Sequence, residues 1–416
     1  MNFRKILQFT LLILAAEIIY ALPFVLIRIF RPTFLAAFDI DNKSIGFCFS
    51  LYGVTAMISY FIGGLIADKF QPKYLMSIAL LLTGLGGLVW VYYPSLETLY
   101  LLYVYWGVTS IMLFWSPLIK SVRILGEKKK QILAFSIVEG GRGLVAAIIG
   151  TIGIIVITAM IPDEDSSKEM LQGAMNKIYL ITSVLIILMS FLMLLLPNFG
   201  DTSKIISKNK IGANIIKALK YPVVWILMVI ILTSYIGYRV ADVFTQYASE
   251  IYGYNARESA ELGIVYSYLR PVVCILIIFF ARKANPSKWL IIGFSVMSFG
   301  SLLLVFNEKV LHLSLLIPIL SALTGTYTLR VLYFTVLEDA KIPITITGTV
   351  VGILSVVGFS PDIFLGFIEG YYLDEVGGVL GFQFLFVFLL VSSIIGLFAS
   401  ILFYNSIKSR NKLLSS

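Results

Sequence analysis

Charge is what this sequence has least of. Only 13% of its 416 residues are Asp, Glu, Lys or Arg, about half of the roughly 25% usual in a water-soluble domain. Water is therefore not the chain's main solvent. Cysteine is nearly absent. Cys48 and Cys274 both fall inside apolar runs, where they read as small core residues and not as a disulfide or metal pair. There is one histidine, His312, placed near the end of an apolar run as an interfacial residue. No metal-ligand Cys/His spacing occurs, no phosphate-cradling loop of the Walker type, and no nucleophile elbow. Those absences speak against an ATP-driven pump and a membrane hydrolase. The chain is expected to be no enzyme and to hold no metal and no cofactor.

What the sequence has in abundance is apolar length. It is 59% hydrophobic with a mean hydropathy of +0.94. Runs of about 20 apolar residues, enough to cross a hydrocarbon core of about 30 Å, recur along the chain. Twelve spans can be drawn: 7–34, 44–66, 74–93, 98–122, 132–160, 177–196, 222–247, 261–281, 289–306, 313–337, 347–372 and 380–405. The first follows Met-Asn-Phe-Arg-Lys, lacks a small-residue cleavage site and contains Glu17, so it reads as a retained span and not as a removed signal peptide. Most Lys and Arg fall in alternate loops, among them Lys69, Lys73, Lys128, Lys129, Lys130, Lys204 and Lys208. That bias places both termini in the cytoplasm. The net charge of +9 is spread over membrane-edge loops, which fits contact with anionic lipid and not with nucleic acid. The loop around 162–169 is acidic, as suits the outer side. The longest inner loop, 197–221, carries five lysines in a pattern that suits an amphipathic helix on the bilayer surface. It separates an N-terminal six-span bundle (1–196) from a C-terminal one (222–416). Gly46-Phe-Cys-Phe-Ser-Leu and Gly263-Ile-Val-Tyr-Ser-Tyr open spans 2 and 8, and Gln71-Pro-Lys-Tyr-Leu is echoed by Asn285-Pro-Ser-Lys-Trp-Leu. These weak echoes fall where a duplicated six-helix unit puts them.

Ionisable residues inside the spans cost about 2.5–3.5 kcal/mol or more each at a helix centre, so they must face a partner or a wet cavity. The candidates are Glu17, Arg28, Lys120, Glu139, Arg142, Arg239, Asp242, Arg270, Arg330 and Asp362. Glu17 and Arg28 share a helix face but stand about 16 Å apart along the axis, too far to pair directly. Glu139/Arg142 and Arg239/Asp242 are spaced to pair within their own helices, either as fold-steadying salt bridges or as parts of a site. Arg28 has no near acid in its own helix, which leaves snorkelling to the surface or a role in binding. Basic residues outnumber acids, and guanidinium groups grip carboxylate, phosphate or sulfonate through two parallel hydrogen bonds. Arg28 and Arg239, one from each half, are the best anion-binding pair. Phe114-Trp115-Ser116-Pro117 ahead of Lys120 reads as a kinked cavity wall.

Gly63-Gly64-Leu65-Ile66-Ala67-Asp68-Lys69, with Pro72 and Lys73 behind it, reads as a tight turn between spans 2 and 3. It resembles the loop signature of the major facilitator superfamily, Gly-x-x-x-Asp-Arg/Lys-x-Gly-Arg/Lys. Gly64, Asp68, Lys69 and Lys73 fit as a conformational gating loop, while Gln71 and Pro72 depart from it. The resemblance implies an all-α integral membrane fold of 12 transmembrane helices in two pseudo-symmetric six-helix bundles, with spans 1, 4, 7 and 10 lining the cavity. Span 1 (Tyr20-Ala-Leu-Pro-Phe-Val-Leu-Ile-Arg28), span 5 (Ser136-Ile-Val-Glu-Gly-Gly-Arg-Gly143) and span 11 (Gly348-Thr-Val-Val-Gly352) are similar to the organophosphate:phosphate antiporter branch. There an Arg set like Arg28 grips phosphate, and Arg142 stands in the place of a substrate-site His. The expectation is a secondary transporter of a small organic anion, a monomer in the bacterial inner membrane. Arg28, Arg239, Arg142, Lys120, Arg330, Tyr20 and Tyr238 are the candidate substrate residues, and Glu17, Glu139, Asp242 and Asp362 the candidate proton carriers. Rival readings are an exporter of amphipathic compounds and a transport-dead membrane sensor. An apolar cavity would favour the first and a docking surface the second.

Overall fold

The computed structural model describes residues 3–126, 131–160, 167–196, 219–281, 286–306, 312–333, 336, 340 and 344–415. Among these residues every regular element is helical. In hydrocarbon each backbone N–H and C=O must be satisfied within the structure, which a helix does on its own. The helices are α1 (Phe3–Ile18), α2 (Leu26–Phe38), α3 (Asn42–Lys69), α4 (Pro72–Tyr92), α5 (Leu96–Ser110), α6 (Ser116–Gly126), α7 (Gln131–Met160) and α8 (Lys168–Met193). After residues 197–218 they continue as α9 (Pro222–Val240), α10 (Phe244–Tyr252), α11 (Ala256–Ala281), α12 (Pro286–Phe306), α13 (His312–Leu332), α14 (Ile344–Gly358), α15 (Pro361–Tyr371) and α16 (Gly378–Ser415). One-turn irregularities join α1 to α2, α5 to α6, α9 to α10 and α14 to α15. The described residues thus form twelve rods. Eleven meet a membrane-crossing length and hydropathy, and α3, of 28 residues, is the twelfth.

Two spans depart from the sequence expectation because hydropathy does not record helix ends. α8 starts at Lys168 and not near 177, capped by the Ser167 hydroxyl, which accepts from the Met170 N–H at 3.4 Å. Its first turns are polar but helical. α16 likewise runs on to Ser415 through a lysine-rich end. The stretch Gly63–Lys69 is not a turn but the last two turns of α3. The chain breaks only at Phe70 and Gln71, where Pro72 holds Gln71 extended (φ −67°, ψ 130°). The backbone of Gly64, Asp68 and Lys69 is helical, and their side chains lie outside the described residues. Lys73 sits over the ring of Tyr74 at 5.0 Å. The basic 197–218 loop, the acidic loop at 161–166 and the side chain of His312 also lie outside the described residues.

Proline shapes the first rod. Pro23 has no N–H, and the chain widens into a π turn at Ala21–Val25, where the Val25 N–H donates to the Tyr20 carbonyl. The Tyr103 hydroxyl donates to the Pro23 carbonyl at 2.7 Å. Pro32 likewise cannot donate to the Arg28 carbonyl, and the helix kinks at Phe30 (φ −112°, ψ 26°). That carbonyl accepts instead from the Thr245 hydroxyl at 3.1 Å and the Tyr266 hydroxyl at 3.0 Å. A second π turn, Ile111–Trp115, precedes Pro117, where the sequence points to a kinked wall.

The chain forms two compact units. Unit 1 comprises residues 1–203, 241–271 and 362–382; unit 2 comprises 204–240, 272–361 and 383–416. In unit 1, α15 lies across the first half of α3. A Cβ on Gly46 would collide with the Gly366 carbonyl oxygen, and one on Gly366 would collide with that of Gly46. The Ser50 hydroxyl donates to the Ile363 carbonyl at 2.6 Å. Small residues thus bring two backbones into contact, as membrane helices do when no hydrophobic force drives them together. In unit 2, α12 and α13 make the most extensive contact and α9 packs on α13 and α14.

Candidate functional site

Among the described residues of unit 1, buried charges gather in three clusters. The first joins α1, α7 and α11. Glu17 and Glu139 face Arg142 and Arg270, and all four are buried or nearly so. Arg142 donates from Nε to Glu17 at 2.7 Å and from Nη1 to Glu139 Oε1 at 2.8 Å. Arg270 donates from Nη2 to Glu139 Oε2 and lies 3.5 Å from Glu17 through Nη1. Tyr20 places its ring 5.5 Å from the Arg142 guanidinium. The close approach of α7 and α11 depends on Gly143: a Cβ there would come within 2.7 Å of both Arg270 Cβ and Pro271 Cδ.

The second group pairs Arg28 of α2 with Asp242, which sits in the tight 3₁₀ turn Ala241–Val243 between α9 and α10. Both are buried. The third lies at the Asp41 end of α3. Arg31, fully buried, faces Glu369 at 3.7 Å and donates to the Asn42 side-chain oxygen at 2.9 Å and 3.2 Å. Asn42 donates from Nδ2 to Asp374 at 2.8 Å, and the Lys43 backbone N–H donates to the same carboxylate at 2.6 Å. Lys43 and Glu375 pair at the exposed rim, and that carboxylate holds the Lys43 ammonium above its ordinary pKa.

Unit 2 places Arg239 and Arg330 in its interior. The Arg330 guanidinium stacks over Tyr238 at 3.8 Å and lies 5.9 Å from Tyr235. Stacking uses the face of the guanidinium, whose N–H donors point outward in its plane.

The family model described as Major Facilitator Superfamily matches residues 13–361. The chain belongs to the major facilitator superfamily. It is 28% identical over 349 residues, 81% of this chain and 80% of the other, to the inner membrane protein YqcE of Escherichia coli. Over a shorter stretch of 84 residues, 20% of this chain and 18% of the other, it is 29% identical to a probable hexose phosphate transport protein of Chlamydia trachomatis. The fold is that of a solved mutant of the nucleoside transporter NupG: TM-score 0.72, 12% identity, covering 96% of this chain and 100% of that one. This superfamily member is thus a multi-pass membrane protein that carries a small-molecule substrate by alternating access.

The structure brings together some of the sequence candidates and separates others. Glu139 and Arg142 do pair, with Glu17 and Arg270 added. Glu17 and Arg28 hold different partners, as their separation along the axis requires. Arg28 does not snorkel; its acid is Asp242, from beyond the middle of the chain. Lys120 donates to the Ala67 carbonyl at 2.7 Å, near the last turn of α3, where a cation suits the negative end of the helix dipole. Asp362 occupies the first turn of α15, where a carboxylate suits the positive end. Sequence reasoning missed Arg31, Asn42, Glu369 and Asp374. Glu369 carried a signal, as an acid inside an apolar run; Asn42 carried none.

Proposed function

We propose that this transporter moves a small organic anion: a phosphorylated, sulfonated or carboxylated metabolite. The observation that carries the reading is the interior arginine set. Arg28, Arg142, Arg239, Arg270 and Arg330 are all buried within segments of membrane-crossing hydropathy. An arginine stays protonated in any such setting, and its planar donors match the paired oxygens of an oxyanion. The local similarity to a hexose phosphate transport protein agrees. In this reading the candidate anion contacts are Arg239, Arg330 and Tyr238 in the C-terminal half and Arg28, Arg142 and Tyr20 in the N-terminal half, and Lys120 adds positive charge. Glu17, Glu139, Asp242 and Asp362 are the carboxylates available to carry protons. The lysine bias puts both termini in the cytoplasm, which makes the Asp41 end of α3 the outer end. The contacts of α3 and α2 with α15 there are then the ones that must part when the outside is admitted.

Uptake into proteoliposomes tests the reading. Purified protein is given labelled glucose 6-phosphate, 2-hydroxyethanesulfonate or succinate. Saturable uptake of at least one is expected, cut about tenfold or more by R239Q and R330Q, since each loses a charge-assisted hydrogen bond. Uptake confined to uncharged or cationic solutes would overturn it.

A further inference from the structure

Glu139 is bound in the way a substrate oxyanion would be. Its two oxygens are divided between two arginines, Oε1 to Arg142 and Oε2 to Arg270. Those arginines come from helices far apart in sequence, brought together at Gly143. Glu17, 1% exposed, holds the opposite side of the cluster, while the Glu139 side chain is 17% exposed. The four charges cancel: two guanidinium groups and two carboxylates. A second oxyanion brought onto this cluster would leave a bare negative charge in a low-dielectric interior, which is strongly unfavourable. A proton delivered to Glu139 removes that obstacle. It neutralises the carboxylate and weakens its hold on one N–H edge of each arginine, the two edges a planar oxyanion needs.

We infer that Arg142 and Arg270 together form an anion-binding fork, and that Glu139 occupies it as a tethered stand-in until it is protonated. The inference rests on the organic-anion reading and deepens it, adding Arg270 as a binding residue and fixing the coupling. Glu139 takes one proton from water to become a neutral carboxyl, and one monoanion takes its place on the fork. The charge of the cluster is the same before and after. Other charges around α7 lie along their helices away from the cluster or are engaged elsewhere: Arg4 and Lys5 open α1, about three turns before Glu17, and at the start of α11 Arg257 pairs with Glu261 while Glu258 accepts from the Asn255 N–H. Arg28 and Arg31 of α2 hold Asp242 and Glu369, and Lys120 of α6 donates to Ala67. The charges of α8, Lys168, Glu169 and Lys177, lie in its first three turns, at the opposite end of α7 from Glu139.

The test uses full-length protein in detergent and 2-hydroxyethanesulfonate, whose own charge does not titrate. Binding is read by thermal shift, and proton uptake by a pH dye in weakly buffered solution. Wild type should take up one proton per sulfonate bound. Its affinity should fall roughly tenfold per pH unit once the medium is more alkaline than the Glu139 titration, the slope of one linked proton. E139Q should bind the sulfonate at every pH with no proton uptake. E139D, with a shorter carboxyl that still titrates, should keep the uptake, and R270Q should lose binding. Wild-type binding without proton uptake would overturn the inference while leaving the anion reading intact. So would E139Q that keeps the wild-type pH dependence, or R270Q that binds as well as wild type. Failure of phosphate, sulfonate and carboxylate alike to bind wild type would overturn both. If E139Q does not fold, the uptake by wild type and E139D and the loss in R270Q decide the matter.

Discussion

In unit 1 each of the buried arginines Arg28, Arg31, Arg142 and Arg270 faces a carboxylate. In unit 2 the buried charged side chains among the described residues are Arg239 and Arg330, and Arg330 rests on a tyrosine face. The acidic residues of unit 2 are Glu308, Glu338 and Asp339, and they lie outside the described residues. The difference is chemical as well as structural. An ion pair with a carboxylate is conditional, because a proton on the acid dissolves it. A guanidinium on a phenol ring involves no carboxylate that a proton could neutralise. A proton can therefore loosen the carboxylate pairs of unit 1, while the Arg330–Tyr238 contact of unit 2 contains no carboxylate to protonate.

The sharpest way to break this comparison is to remove one partner of a buried pair. D242A leaves Arg28 buried without its acid, which costs about 3–5 kcal/mol. A large fall in thermal stability in detergent is expected. The double change R28M/D242M should recover most of it, because two apolar side chains bury more easily than one lone charge. If D242A melts like wild type, the pair is not what holds the α2 kink to the turn at Ala241–Val243, and the contrast between the units fails.

A smaller effect is expected where α3 meets α15. G366L forces a side chain into a backbone contact and should cost about 1–3 kcal/mol if the helices stay together. If instead they part, Ser50, buried here, becomes reachable. Labelling of S50C by a membrane-impermeant thiol reagent separates the two outcomes. R31Q should also raise S50C labelling, since it leaves Glu369 buried without its arginine and removes the anchor of Asn42. Equal labelling of S50C with and without G366L, at unchanged stability, would remove this contact from the closing surface.

The spans themselves were legible because a membrane imposes one length and one solvent on every helix. Most drawn ends lie within a few residues of those observed, and the exceptions, Lys168 and the run to Ser415, are polar helical ends that hydropathy does not see. Local pairing was legible only when it stayed local. Glu139 and Arg142, three residues apart on a regular helix, do meet. Asp242 sits where α9 tightens into a 3₁₀ turn, and it reaches Arg28, 214 residues away, which no local spacing announces. That turn, the π turn at Pro23 and the kink at Pro32 set the direction of each side chain. Proline marks where such irregularities fall but not which carbonyl will need a new partner. The Arg28 carbonyl finds Thr245 and Tyr266, more than two hundred residues away, and no spacing rule reaches that far.

The smallest predicted effect sharpens the comparison from the side of unit 2. Y238A removes the ring beneath Arg330 and should cost about 0.5–2 kcal/mol, well below the cost of D242A. Y238F keeps the ring and loses only the hydroxyl, so it should stay within about 0.5 kcal/mol of wild type, as a change that leaves packing and face intact. The order D242A, then Y238A, then Y238F is the observable. If Y238F is as damaging as Y238A, the hydroxyl and not the ring face supports the arginine. The contact is then a hydrogen bond and not a stack, and the ring-face account of Arg330 fails. If Y238A alone is damaging, and to the same degree from about pH 6 to about pH 8.5, where an arginine stays charged, the ring supports Arg330 through a contact that protons do not reach.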